Sequence, residues 1–595
     1  MTLEELNQCS DERFVELLDG VYEHSPWVAA RAANTASQPS GRPYSSVTAL
    51  KLALQRVVDL ASLEERFALV RSHPDLAADK VIEAGLSPAS REEQRGAGLT
   101  SHGNAQIQAL AELTQRYRQT FDFPFVLAVK GPDGLGLSVD QIIATLQRRL
   151  RNRRDDELRE NLRQVHRIAE LRLNQRLGLL PTYGTQVLAW CEALAAWSEE
   201  TDALTCTYMT ESHRASAQAL LGWMQASGMQ AHIDAVGNVV GRYASDRPNA
   251  PTLLTGSHYD TVRNGGKYDG RIGILVPVAV IAELHRQGVK LPYHLDVVGF
   301  AEEEGVRYKT AFLGSSALTG RFDPTWLARL DSDDVALSTV LRDAGIDDAA
   351  IAEAARTPAS LIGYIEWHIE QGPVLLAQGA PVGVVTAIAG SRRYMVDLKG
   401  VASHAGTTPM TMRRDAAAAA AEITLLIESR CATAPSLVGT VGQLTVPNGS
   451  LNVVPGACRF SIDIRAGDDV IRDAAVDDVM AGIDAICERR GIRYTVELVL
   501  ESPTTLCAPW LREHIAAATV AAGAEPFALP SGAGHDAVEI SHLTDVAMLF
   551  VRCGNGGISH NPLETVTADD LDLSARIFQD VLQRIAADAH WRTLH

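Results

Sequence analysis

At 595 residues the chain exceeds what one hydrophobic core usually holds, which excludes a single domain and predicts about three to four folding units. Hydrophobic residues make up 46% and charged residues 21%, an ordinary globular composition that excludes wholesale disorder. The formal net charge of -19 is uneven, with 23 Lys+Arg against 24 Asp+Glu in residues 1–180 and 31 against 49 beyond; a surface so acidic argues against nucleic acid as a partner of the larger part.

The N-terminus MTLEELNQCSDERF has neither a basic n-region nor an apolar h-region, and no run of about 18 apolar residues interrupts the chain. A cytoplasmic protein without membrane contact is expected. Cys9, Cys191, Cys206, Cys431, Cys458, Cys487, Cys507 and Cys553 are scattered with no CxxC, which predicts reduced, mostly buried thiols and neither disulfides nor a zinc finger.

From residue 1 to about 180 the pattern is helix after helix, as in TALKLALQRVVDLASLEERFALVRSHP and VDQIIATLQRRLRNRRDDELRENLRQVHRIAELRLNQRL. This predicts an all-α N-terminal domain over residues 1–175. Acidic residues Asp155, Asp156, Glu157, Glu160 and Glu170 interleave the arginines between Arg148 and Arg176 at ion-pairing spacings, so the run reads as a solvated helix face. The segments HSPWVAARA, RSHPDLA, SPASREEQRGAGL and FDFPFVLAVKG resemble the 2-oxo-4-hydroxy-4-carboxy-5-ureidoimidazoline (OHCU) decarboxylase family, a helical, cofactor-free enzyme family. The resemblance implies His73 and Glu93 as catalytic residues, His73 being the acid/base, with Ser90 and Arg172 beside Glu93 binding the polar heterocycle. A histidine titrates near neutrality and suits that proton transfer. Ser90 and Glu93 are three apart and share a helix face, although SxxE is equally the pattern of a capping box.

After LGLLPTYG the texture changes to alternating strands and helices, with β-rich runs NAPTLLTGSH, YHLDVVGFAEEEG and TDVAMLFVRCG between Ala-rich helices. An α/β metallohydrolase domain is predicted over residues 176–387 and 506–595. Residues 388–505 carry their own pattern: YMVDLKGVASH, then DAAAAAAEITLLIESR, CRFSIDIR and a further helix and strand. They read as an inserted α+β lid.

Three predicted strands run into metal-capable residues: Thr252 to Ser257 into His258, Leu295 to Phe300 into Glu302–Glu304, and Val546 to Val551 toward His560. Loops leaving adjacent strands converge at the C-terminal edge of an open α/β sheet, so a site is expected there. Asp260, two residues after His258, is placed to orient that imidazole. Asp269 follows a glycine turn, and its two oxygens suit a bridge between two cations. Glu303 and Glu304 leave a strand end in different directions, so one can bind metal while the other faces an activated water. His368 in YIEWHIEQG and His560 in GISHNP complete a nitrogen and oxygen donor set without sulfur, suited to two divalent ions such as Zn2+ or Mn2+.

With these motifs in place, residues from about 184 to 595 are similar to peptidase family M20, in its allantoate amidohydrolase and N-carbamoyl-amino-acid amidohydrolase branch. The resemblance implies one metal on His258, Asp269 and either His368 or His560, the other on Asp269, Glu304 and the remaining histidine, with Glu303 as general base. VASHAGTTPM, GSLNVVPG and FSIDIR resemble the branch's substrate-binding motifs, which implies His404, Asn452 and Arg465 as substrate contacts, joined by Gln371. The chemistry agrees, since His404 can stabilise an oxyanion and Arg465 can clamp a carboxylate, although an arginine at a strand end also suits a surface ion pair. His535 in SGAGHDA is expected either to line the site or to hydrogen-bond the Asp536 loop.

Together the two resemblances imply a purine-degrading fusion, decarboxylating OHCU to allantoin without a cofactor and hydrolysing allantoate with two metals. Small ureides are the expected partners, with a homodimer through the lid. The alternatives are an N-carbamoyl-L-amino-acid hydrolase, a noncatalytic helical oligomerisation module and a binding-only protein.

Overall fold

The computed structural model describes residues 1–33, 42–76, 105–131, 136–180, 182–588 and 591. The N-terminal region is helical, and its helices Val47–Asp59, Leu63–Arg71, Ala105–Phe121, Val139–Arg149 and Arg154–Leu177 surround one apolar cluster that includes Phe14, Leu50, Tyr117, Phe121 and Val165. Each long helical pattern in the sequence is divided in two. Ser62 and Glu65 form a capping box that starts the Leu63 helix, while the second pattern breaks between Leu150 and Arg153.

The arginine-rich run is solvated on one face only, which corrects the expectation for its other side. Arg149 and Glu157 are both fully buried, with Arg149 Nε 2.7 Å from Glu157 Oε1 and further donors on the Val126 carbonyl and Asn161. Arg172 is also buried, and Arg167 nearly so. Helix Arg154–Leu177 is packed on several sides, so Glu157, Glu160, Arg167 and Arg172 are paired inside, while Arg154, Asp155, Arg159 and Arg176 remain on an exposed face.

Sixteen strands follow among the described residues: β1 Gln230–Ile233, β2 Val239–Tyr243, β3 Thr252–His258, β4 His294–Phe300, β5 Leu361–Ile369, β6 Val382–Ile388, β7 Gly390–Lys399, β8 Ser403–His404, β9 Leu437–Thr440, β10 Leu444–Thr445, β11 Val453–Val454, β12 Ala457–Ala466, β13 Arg493–Ser502, β14 Thr505–Leu506, β15 Phe527–Ser531 and β16 Val546–Val551. Nine of them form the larger sheet in the order β1-β2-β4-β3-β5-β16-β6-β14, with β15 on β6. Strands β4, β3, β5 and β16 run parallel, which brings their C-terminal ends to one edge. Every residue of β3, β5 and β16 is buried, as expected of central strands covered on both faces. Helix Arg271–Gln287, apolar nearly all round, lies across β3 and β5 and against helices Thr182–Ala195 and Ala568–Ala587.

A second sheet, β10-β12-β7-β13 with β9 on β12, lies within the predicted insertion. Alternate residues Cys458, Phe460, Ile462, Ile464 and Ala466 of β12 point inward against helices Ala416–Cys431 and Asp469–Arg490, giving this sheet its own core. The short ribbon of β8 and β11 carries His404 opposite Val453.

The helical region is docked on the hydrolase region through Asp569, in the first turn of helix Ala568–Ala587. It receives Lys51 Nζ at 3.1 Å, Arg167 Nη1 at 2.6 Å and Asn174 Nδ2 at 2.5 Å. All eight cysteines are free thiols, seven of them buried. No helix among the described residues is long and apolar enough to cross a membrane.

Candidate active sites

At the shared strand edge, β3 supplies His258, the loop after β4 supplies Glu303 and Glu304, and β5 supplies His368. His258 Nδ1 lies 3.1 Å from the Asp260 backbone carbonyl and 3.5 Å from its carboxylate, which sets the ring and leaves Nε2 toward the centre. Asp260 has a second duty: its two oxygens accept the backbone N–H groups of Glu303 at 3.1 Å and Glu304 at 3.2 Å. One buried carboxylate thus fixes both the first histidine and the glutamate loop.

Asp269 stands between two donor groups. His368 Nε2 is 3.4 Å from Asp269 Oδ1, and His560 Nε2 is 3.0 Å from Oδ2 and 3.2 Å from Glu304 Oε1. Ligand atoms of His258, Asp269 and His368 lie within 4.8 Å of one another, as do those of Asp269, Glu304 and His560. The two histidines left unassigned by the sequence therefore fall in different groups. His368 Nδ1 meets the Ile369 carbonyl at 2.9 Å, which fixes the tautomer that presents Nε2.

Gly270 permits the close approach, since its φ is +65° and a Cβ would come within 2.5 Å of the His258 ring. The donors suit a divalent cation. Hydrogen bonds donated to the Asp269 and Glu304 carboxylates push His560 up to about 10, and the negative potential that holds its proton is one that would hold metal ions. Burial raises the Glu303 carboxyl well above the ordinary carboxylate range, opposed by His258. His560 is 46% exposed, so the centre opens to solvent on that side.

Gln371 rests on the centre, its Nε2 donating to both Asp269 oxygens at 2.9 and 3.1 Å. His535 is buried with its ring 4.4 Å from that of His368, and Ser531 Oγ holds its Nε2 at 2.8 Å. It thus lies against the cluster and also hydrogen-bonds within the loop that leads to Asp536. His404 and Asn452 instead meet within their own ribbon: the Asn452 carbonyl accepts Ala405 N–H at 2.8 Å, and His404 Nδ1 accepts Gly406 N–H at 3.1 Å. Arg465 pairs with Asp463 and donates Nη1 to the Gly532 carbonyl at 2.7 Å, tying the second sheet to the SGAGH loop.

Three buried carboxylates escaped the sequence reading. Glu564 accepts Tyr268 N–H at 2.9 Å, Asp269 N–H at 3.1 Å and Ser559 Oγ at 2.7 Å, joining the Asp269 and His560 loops. Glu366 accepts Ser257, Tyr364 and Ala537 beneath the centre. In the helical region, Glu23 binds Arg172 Nη1 at 2.5 Å. Beside that pair His73 is buried, its Nδ1 3.0 Å from the Leu69 carbonyl, and burial pulls it down to about 4. Ser90 and Glu93 lie outside the described residues.

Residues 254–584 match peptidase family M20/M25/M40, and residues 7–174 match the OHCU decarboxylase family. The chain belongs to the M20 family, with an OHCU decarboxylase domain ahead of it. The M20 part is 36% identical to an N-carbamoyl-L-amino acid amidohydrolase of Geobacillus stearothermophilus over 377 residues, 63% of this chain and 92% of the relative. It is 36% identical to an allantoate deiminase of Arabidopsis thaliana over 429 residues, 67% of this chain and 82% of that protein. A crystal structure of a hydantoinase/carbamoylase-family amidase from Burkholderia multivorans aligns with a TM-score of 0.64 at 29% identity, covering 68% of this chain and 98% of the amidase.

Proposed function

We propose that this chain is a bifunctional enzyme of purine-ring degradation, in which the M20 domain hydrolyses allantoate and the helical domain decarboxylates OHCU to (S)-allantoin. The observation that carries it is the joining of an OHCU decarboxylase domain to an M20 domain whose relatives include allantoate deiminases. One ring-opening step lies between the two reactions and belongs to another enzyme.

In this reading two divalent ions, manganese or zinc, supply a lowered water pKa and charge stabilisation at the ureido carbonyl when bound. His258, Asp269 and His368 would hold one, and Asp269, Glu304 and His560 the other. Glu303 takes the proton of the attacking water and returns it to the leaving nitrogen, giving ammonia, carbon dioxide and ureidoglycine or ureidoglycolate. Gln371 orients the substrate. His404, Asn452 and Arg465 join the site as the inserted segment closes, Arg465 exchanging Asp463 for the substrate carboxylate.

In the helical domain no cofactor is needed, because the substrate carbonyl adjacent to the breaking bond accepts the electron pair. His73 donates Nδ1 to Leu69, which frees Nε2 for proton transfer, while Ser90, Glu93 and Arg172 grip the heterocycle. We assign residues 1–175 to the decarboxylase, 176–387 and 506–595 to the hydrolase and 388–505 to the lid, in a cytoplasmic homodimer. Exposed Leu498, Val499 and Leu500 on β13, an edge strand of the lid sheet, support pairing there.

Turnover of allantoate and of N-carbamoyl-L-amino acids with added Mn2+ tests the substrate. Faster hydrolysis of the carbamoyl amino acids would favour the second reading, a carbamoylase with a noncatalytic helical domain, which the Geobacillus relative supports.

A further inference from the structure

Behind the metal-ligand loop lies a buried cation with no carboxylate within 4.0 Å among the described residues. Arg271 is the first residue of helix Arg271–Gln287 and is 0% exposed. Its Nε reaches the Tyr259 carbonyl at 3.4 Å, but Nη1 and Nη2 have no hydrogen-bond partner among the described residues, and no carboxylate there lies within 4.0 Å. His213, 1% exposed, lies tilted against the Tyr259 ring at 4.4 Å with its Nδ1 3.5 Å from the Tyr259 hydroxyl, and its Nε2 has no partner among the described residues. An unpaired guanidinium in a dry interior is among the costliest groups a fold can bury, and an orphaned donor there calls for a water or an ion.

We infer that a small monoanion of the halide class, chloride in particular, binds in the interior beside Arg271 and His213.

The chain's own candidates for that counter-charge are already committed. Both Asp260 oxygens accept the Glu303 and Glu304 backbone, and Glu199 is held by Thr207 through its N–H and its hydroxyl. The nearby Cys206 thiol, 3.8 Å from Ser216 Oγ, is pushed up to about 11 by burial and stays protonated. Water would satisfy the donors but leave the charge uncompensated. A polyatomic anion needs more room than is left beside a guanidinium that is 0% exposed in a close-packed interior, so the smallest anion fits best. Seated there, a halide would fix the Tyr259 backbone, one residue from both His258 and Asp260.

Two measurements on the metal-loaded full chain test this. In crystals grown with bromide replacing chloride, an anomalous peak within hydrogen-bond reach of Arg271 Nη1 or Nη2 is expected. In thermal unfolding at equal ionic strength, the wild-type midpoint should be about 2–4 °C higher in potassium chloride than in potassium gluconate. Arg271→Met should remove that difference; should this variant not fold, the two wild-type measurements decide. Water density or no peak at Arg271, or equal wild-type midpoints in the two salts, overturns the proposal.

Discussion

Glu303 and Glu304 are chain neighbours to which the proposed hydrolysis gives separate duties, and the difference rests on placement. Glu304 lies 3.2 Å from His560, whereas Glu303, 9% exposed, stands with His258 and Glu304 as a group. Glu303→Gln should therefore lower kcat for ureide hydrolysis about 10²- to 10⁴-fold while elemental analysis still finds the full metal complement. His73 and His213 set a pH dependence. Burial pulls each down to about 4, below the ordinary 6.5, so the unfolded chain takes up these protons first. Their contribution to stability is whole above about pH 6.5 and is lost as the pH falls toward 4. Urea midpoints should accordingly be lower at pH 5 than at pH 7, by an amount equivalent to roughly 2 kcal/mol for each imidazole. The decarboxylation rate should stay level down to about pH 5 and fall below it as His73 gains its proton. The histidines and carboxylates of the candidate metal centre were legible in the sequence because all but His560 sit beside glycine or near a strand end, and His560 stands in the GISHNP motif. Glu564, Glu366 and Glu23 were not, since the partners that give them their place, Asp269, Ser257 and Arg172, lie 295, 109 and 149 residues away and no local pattern announces them.

Among elements, the glycine turn before Asp269 and the loop carrying His560 depend on one another through Glu564. A Cβ on Gly266 would stand 2.2 Å from the Glu564 carboxylate, so Gly266→Ala must displace the group that holds the Tyr268 and Asp269 amides. Its expected effect is a loss of metal affinity of about 10- to 100-fold, read by competition with a chelating dye, with little change in far-UV circular dichroism. The strands bearing the centre were readable from apolar runs of the right length, and the helices of the inserted segment from their alanine-rich periodicity. The breaks inside the N-terminal helices were less so, because an apolar stripe continues across Leu60–Ser62 and only the Ser62–Glu65 cap marks the new start. The ribbon of β8 and β11 joins residues about fifty positions apart in two-residue strands, too short to carry a period.

At the scale of the molecule, the seam between helical and hydrolase regions is held by charge, with Asp569 collecting Lys51, Arg167 and Asn174. Composition hid this, because the same arginines and glutamates read equally well as a hydrated face. Removing one member of so buried a set strands the others, so Asp569→Ala should cost about 3–5 kcal/mol and split thermal unfolding into two calorimetric transitions. The second sheet is attached in another way. The chain leaves the large sheet at the end of β6 and returns in β14, and these ends are zipped together, Thr505 opposite Ile388 and Leu506 opposite Ala387. Everything between hangs from a stem two strands wide, with the Arg465 to Gly532 hydrogen bond beside it, and surrounds its own apolar cluster. Such a stem makes the insertion a cassette: its two ends sit about 5 Å apart, the spacing of neighbouring strands, so a tight turn could close the scar. Residues 390–502 expressed alone should then fold, giving dispersed amide resonances, and the same junction would accept a lid from another hydrolase, allowing substrate choice to be exchanged without touching the metal ligands.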